Sequence, residues 1–231
     1  AASDVYKRQK WYSANSEIVS IEELTGIFTV NAYGTTTLTA KSDNIERSFE
    51  VTVTEGKFND IFEYSQSKWG IFAGNGTKMI VQDGKLKITT KNNNGTCVSE
   101  INRGKTDFHA GKYPIVAVKV YLPGVLNENY LPTLNVWTSG SGHGVYKGLD
   151  TLQMPDGSYV YYADISINGK GFAGGKTMSS TEKTTLNNFI YEFRGLKYTT
   201  DDITAGKNII ELDWVKSFKS LEELKNFLKM E

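Results

Sequence analysis

Met79-Ile80-Val81-Gln82-Asp83-Gly84-Lys85-Leu86-Lys87-Ile88-Thr89-Thr90 decides the fold class. Two runs of aliphatic and β-branched residues flank an Asp-Gly pair, and Asp-Gly supplies the positive φ that a two-residue hairpin turn requires. In the second run Leu86 and Ile88 alternate with Lys85 and Lys87, the period of a strand that buries one face. Outward from this hairpin the same pattern recurs at residues 115–121, 133–137, 158–165, 189–193 and 208–215, with a second Asp-Gly turn at Asp156-Gly157. Eight or more strands without interleaved helices predict a jelly roll or similar two-sheet sandwich. The last dozen residues change period. Ser220 and Glu223 form a capping box, and Leu221, Leu224, Phe227 and Leu228 repeat at helical spacing, so a short amphipathic helix over 220–231 packs its apolar stripe on the sandwich.

Composition narrows the function classes. Of 231 residues 39% are hydrophobic and 23% charged, with 26 basic side chains against 26 acidic ones. That balance fits a globular chain and offers no global attraction for nucleic acid or anionic lipid. Basic residues carry no aromatic-basic repeat, and no apolar run reaches the length of about 18 residues that a membrane helix needs. One cysteine, Cys97, cannot form an intrachain disulfide; a buried thiol in the strand Cys97-Val98-Ser99 is its expected state.

The amino-terminal third divides from the rest near Glu55-Gly56-Lys57. Residues 1–9 open Ala1-Ala2-Ser3-Asp4-Val5-Tyr6-Lys7-Arg8-Gln9, which resembles translated sequencing-adapter sequence and is set aside as a non-native or disordered leader. Residues 10–55 hold short alternating runs at 27–30, 35–40 and 48–54. Here the run from Trp11 to Ile21, Thr25-Gly26-Ile27-Phe28-Thr29-Val30 and the strand from Tyr33 to Ala40 resemble three segments of the bacterial immunoglobulin-like domains of group 2. That resemblance implies a truncated immunoglobulin-like spacer, a chain that is a carboxy-terminal fragment, and an extracellular or cell-surface setting.

Residues 57–219 carry a second resemblance. Phe62-Glu63 with Trp69, the segment Gln82-Asp83-Gly84-Lys85-Leu86-Lys87-Ile88, and the segment from Ile209 to Val215 resemble, in order, the motifs of carbohydrate-binding modules with a galactose-binding-like jelly roll. The tail from Lys216 to Leu224 is similar to modules of surface glycan-utilisation proteins of Bacteroidota. The resemblance implies a non-catalytic, monomeric module whose partner is a polysaccharide or oligosaccharide. It also implies a structural calcium ion held by Glu63 and Asp213, with Asp60 nearby; the plainer role for these carboxylates is pairing with backbone amides or lysine.

Sugar recognition needs flat rings for the C–H faces of pyranoses, and amides or carboxylates for their hydroxyls. Trp137 and Tyr146 flank the Gly/Ser-rich segment 138–144, with Asn135 alongside, and are the first ligand candidates; Trp69 and Tyr162 follow. In a strand Tyr159 and Tyr161 share one face and Tyr162 takes the other. The competing reading is a structural or adhesion sandwich with no sugar ligand, in which Trp137 is core.

Enzymatic readings are weaker. Glu211-Leu212-Asp213 resembles the start of the E-x-D-x-x-E run of retaining β-glucanases, but Lys216 stands where the second glutamate belongs. Gly175-Lys176-Thr177 ends like a phosphate-binding loop, yet Lys170 replaces its first glycine. His109 and His143 have no second ligand at metal spacing. Asn75 and Asn94 open glycosylation sequons that mark exposed turns. A glycoside hydrolase would need two carboxylates about 5–10 Å apart in a cleft.

Overall fold

The Asp83-Gly84 turn forms as the sequence predicts, with φ of 55° and 71°, in a computed structural model that describes residues 9–54, 56–63, 65–66, 68–72, 76–93, 96–126, 130–138, 143–167 and 183–230. Most of the leader (1–8), Asn75, Asn94, the Ser139–Gly142 stretch and Gly175-Lys176-Thr177 lie outside the described residues. Contacts divide the chain into two units, Ala1–Glu55 and Gly56–Glu231.

The first unit contains β1 (Lys10–Ser13), β2 (Val19–Ile21), β3 (Phe28–Val30), β4 (Gly34–Ser42) and β5 (Ile45–Val53). They form a three-stranded antiparallel sheet in the order β1-β4-β5 and a β2-β3 pair. Val19 and Leu38 are buried, while Ile27, Phe28, Ile45 and Phe49 stay exposed.

The second unit runs β6 (Asn59–Ile61), β7 (Trp69–Ile71), β8 (Gly76–Gln82), β9 (Lys85–Asn93), β10 (Thr96–Arg103), β11 (Thr106–His109), β12 (Ile115–Tyr121), β13 (Thr133–Thr138), β14 (His143–Lys147), β15 (Asp150–Gln153), β16 (Tyr159–Asp164), β17 (Lys183–Leu196), α1 (Thr200–Thr204), β18 (Ile209–Phe218) and α2 (Leu221–Phe227). One sheet is ordered β15-β16-β12-β18; the far edge of β18 is shared by β6 and β9, and β8 lies outside β9. The other sheet is ordered β14-β13-β17-β10, with β7 against β10 and β11 against β17. Strand β9 joins the two, pairing with β18 through residues 86–89 and with β10 through residues 91–93. This is the expected all-β jelly-roll sandwich with a short carboxy-terminal helix. α1 is a single turn that sequence reading did not anticipate, capped by Thr199, whose hydroxyl accepts the Asp202 amide.

Alternation along each strand selects the core. Val116, Val118 and Val120 of β12, Leu134 and Val136 of β13, Tyr159 and Tyr161 of β16, and Phe189, Tyr191 and Phe193 of β17 all pack into the space between the sheets. Phe58 meets Phe189 edge-on at 4.8 Å between ring centroids, an arrangement worth about 0.5–1.5 kcal/mol beyond the area it buries. Cys97 is fully buried in this core, as expected.

Two features close the sandwich. Asp60 of β6 accepts the Trp69 indole N–H (2.9 Å) and both Arg103 nitrogens, Nε at 2.6 Å and Nη2 at 3.2 Å. Because β6 belongs to one sheet and β7 and β10 to the other, this buried ion pair ties the sheets together. On the outer face of the β12–β18 sheet, α2 buries Leu224 in a cluster with Trp214, Phe218, Ile115, Ala117 and Val160. The Ser220 hydroxyl accepts the Glu223 amide at 3.1 Å, and the Glu223 carboxylate accepts the Lys219 amide, one residue earlier than in the standard capping box.

Candidate functional site

With Leu134, Val136, Phe189, Tyr191, Phe193, Cys97 and Ile101 turned into the core, their alternates must occupy the opposite face of the β13-β17-β10 sheet. Register arranges these alternates in rows. Trp137 stands opposite Asn188; Asn135, Ile190 and Asn102 form the next row; Thr133, Glu192 and Glu100 form the third; Arg194 and Val98 complete it. At about 3.4 Å per residue the rows extend for roughly 13 Å along β13, from Trp137 to Thr133. An outward sheet face normally carries lysines and threonines in water or an apolar stripe under a helix. This one carries amides, carboxylates and a tryptophan.

The polar groups hold one another in fixed orientations. Asn102 donates from Nδ2 to Asn188 Oδ1 at 2.8 Å, and its Oδ1 accepts the Phe189 amide at 3.0 Å. Asn135 Nδ2 donates to Glu192 Oε1. Arg194 pairs with Glu100, and its Nε lies 3.5 Å from Glu192 Oε2. Burial raises the Glu192 carboxyl above its ordinary range, a shift opposed by the Asn135 hydrogen bond and the charge of Lys147. Trp137, at 42% exposure, keeps a large part of its surface in solvent at one end of the rows.

Glu100 and Glu192 are cross-strand partners, the closest approach to a catalytic carboxylate pair on this face. Arg194 binds both, however, and Glu100 is 2% exposed. A nucleophile or acid must be free to reach a glycosidic carbon or oxygen. This pair instead reads as a support for the surface around it, its two carboxylates gathered on one guanidinium.

The residues singled out from sequence separate into different places. Trp137 and Asn135 share the polar face, although Asn135 is buried and supports Glu192. Tyr146 does not join them: register sets it opposite Leu134, its ring lies in the core, and its hydroxyl donates to the Ile165 carbonyl at 2.8 Å. The ring leans over Gly144, where any Cβ would come within 3.2 Å of it. Trp69 is also corrected from ligand candidate to core, at 1% exposure with its indole on Asp60. Tyr162 points away from Tyr159 and Tyr161, as alternation requires, and is half-buried on the other sheet.

The three carboxylates nominated for calcium do not assemble a donor set. Asp60 is occupied by Trp69 and Arg103. Asp213 lies on the outer face, 3.2 Å from Lys119 Nζ, and Glu63 is exposed. Calcium requires six to eight oxygen ligands. Among the described residues no three histidine, cysteine or carboxylate side chains group so as to hold a metal. The lysine partner weighed from sequence is the one found for Asp213.

Glu192, Arg194, Asn188, Asn102 and Glu100 join this face without standing out in the sequence. Part of the signal was present, since Phe189, Tyr191 and Phe193 alternate with Ile190, Glu192 and Arg194. What sequence could not supply was the pairing of β10 and β13 with β17, across separations of 86 or more positions for Asn102–Asn188 and 57 for Asn135–Glu192.

Solved structures similar to this chain include the following three. One is a family 11 carbohydrate-binding module from Clostridium thermocellum in complex with a β-1,3-1,4-mixed-linked tetrasaccharide, at 16% identity and TM-score 0.41, covering 73% of this chain and 99% of that one. A second belongs to a study of promiscuous specificity in β-sandwich carbohydrate-binding modules, at 15% identity and TM-score 0.29, covering 91% and 85%. The third is a family 28 module specific for non-crystalline cellulose, at 13% identity and TM-score 0.35, covering 73% and 99%. No curated protein matches the chain. Residues 56–224 match a family described as a domain of unknown function, DUF4979, and the chain belongs to that family.

Proposed function

We propose that this DUF4979 domain is a non-catalytic glycan-binding module whose platform is the outward face of the β13-β17-β10 sheet. The observation that carries the reading is the composition of that face. An exposed indole sits at the head of rows of Asn188, Asn102, Glu192, Arg194 and Thr133, and a sheet that served only as scaffold has no use for so many oriented amides and carboxylates. Trp137 would stack on the C–H face of a sugar ring, at about 1–3 kcal/mol by analogy with other stacked ligands. Asn188 and the Asn102 amide beside it would meet hydroxyls. A single ring and a few hydrogen bonds correspond to affinities from micromolar to millimolar, roughly −8 to −4 kcal/mol.

Residues 10–55 serve in this reading as a spacer, and a polymeric glycan ligand goes with a protein that works outside the cell or on its surface. No helix among the described residues is long and apolar enough to cross a membrane. The test is electrophoretic retardation of the full chain in gels containing plant, mucosal or microbial polysaccharides. Trp137→Ala should abolish retardation by the glycan that binds while leaving the melting temperature unchanged. Retardation by none would leave the structural or adhesion reading in its place, and retention of binding in Trp137→Ala would overturn the assignment of the platform to this face. Release of reducing sugar from a bound polymer would overturn the non-catalytic assignment.

A further inference from the structure

A second concavity lies at the edge of the sandwich where β14 of one sheet approaches β15 and β16 of the other. It encloses about 200 Å³ and is lined by Tyr146, Lys147, Asp150, Tyr162, Asp164 and Ile167, among others. Its floor is fixed: the Tyr146 hydroxyl is tied to the Ile165 carbonyl, and Asp150 and Tyr162 are cross-strand partners in the β15–β16 pair. Its polar groups are largely uncommitted. Asp164 spends one oxygen, Oδ1, on the amide (2.9 Å) and hydroxyl (2.6 Å) of Ser166, and no hydrogen bond or ion pair engages Asp150 or the Tyr162 hydroxyl among the described residues. The two carboxylates lie close enough to the phenols of Tyr162 and Tyr146 to raise both, adding to the effect of burial.

The chemistry of this lining selects among ligands. Two carboxylates repel an anion. Lys147 at the rim offsets one of the two carboxylate charges and weakens the pull on a cation. Free acceptors outnumber donors, so the matching ligand brings several hydroxyl donors and no charge. The volume is smaller than the roughly 300–1,000 Å³ of pockets for drug-sized molecules, which limits the occupant to one ring. Tyr162 offers an aromatic wall for an apolar C–H face. We propose that the pocket between Tyr146 and Tyr162 is a separate binding site for a single neutral pyranose, held through its hydroxyls by Asp150 and Asp164 and packed on Tyr162.

The experiment is titration of the full chain with free D-glucose, D-galactose, D-mannose and D-glucosamine, followed by amide chemical shifts. At least one neutral hexose should bind in the millimolar range and shift the amides of residues 147–150 and 162–164. Asp150→Asn, an exposed substitution that spares the fold, should weaken that binding at least five-fold. Tyr162→Ala should weaken it further, with a melting curve confirming that the variant is folded. Trp137→Ala should leave it unchanged, which separates this pocket from the polar sheet face. If no neutral hexose binds, if only glucosamine does, or if Asp150→Asn binds as well as the parent, the assignment is overturned. Each of these results is compatible with polysaccharide retardation through Trp137, so the two proposals fail independently.

Discussion

Asp60 shows how much a single side chain settles in this protein. Its two oxygens accept an indole N–H and a forked pair of guanidinium donors, and Arg103 also lies over the Phe58 ring at 5.0 Å. Replacing Asp60 by Ala leaves a buried guanidinium without its counter-charge and an indole without an acceptor. The expected loss is about 3–5 kcal/mol, read as a lower urea midpoint at constant slope. A double variant, Asp60→Leu with Arg103→Met, should recover much of that loss, because removing both charges also removes their desolvation cost. From sequence this residue suggested a cation site. The charge that satisfies the carboxylate comes from 43 positions away in the chain, which local spacing does not reveal.

Among the elements, length separates what sequence made plain from what it concealed. Strands β8, β9, β12, β13, β16, β17 and β18 each show several periods of alternation and were legible. Strands β6, β7, β11 and β15 have three or four residues each, too few for a period, and owe their existence to neighbours that pull them into the sheet. The face of Trp137 and Asn135 follows from the alternation of β13. That of Tyr146 depends on hairpin register, and the composition of residues 138–144 does not encode it. The terminal helix was legible as an element, because capping residues and apolar spacing are both local, although it ends at Phe227, short of the expected 231. Its packing gives a clear expectation: Leu224→Ala should cost about 2–5 kcal/mol by emptying a fully buried position. The fluorescence of Trp214, whose ring meets Phe227 edge-on at 5.5 Å, should report any displacement of the helix.

At the scale of the whole molecule the two units differ in how they are built. The first has few buried side chains and many exposed apolar ones, whereas the second encloses a large core between its sheets and a smaller cluster under α2. Calorimetry of the full chain should therefore give an endotherm wider than one two-state transition allows. Leu38→Ala should lower only the component belonging to residues 1–55, and Asp60→Ala only the other. A single transition shifted by both would show that the units unfold as one. Within the second unit, β6 pairs with β18 alone, and the Phe58 amide donates to Ser217 Oγ across 159 positions of chain. During synthesis at about 5–20 residues per second, the opening strand of this domain thus waits roughly 8–30 s for the closing one. Throughout that interval the core that takes up Phe58, Phe62 and Trp69 lacks the strand that closes it. A ribosome stalled before Phe218 would hold out a nascent chain whose sandwich cannot shut.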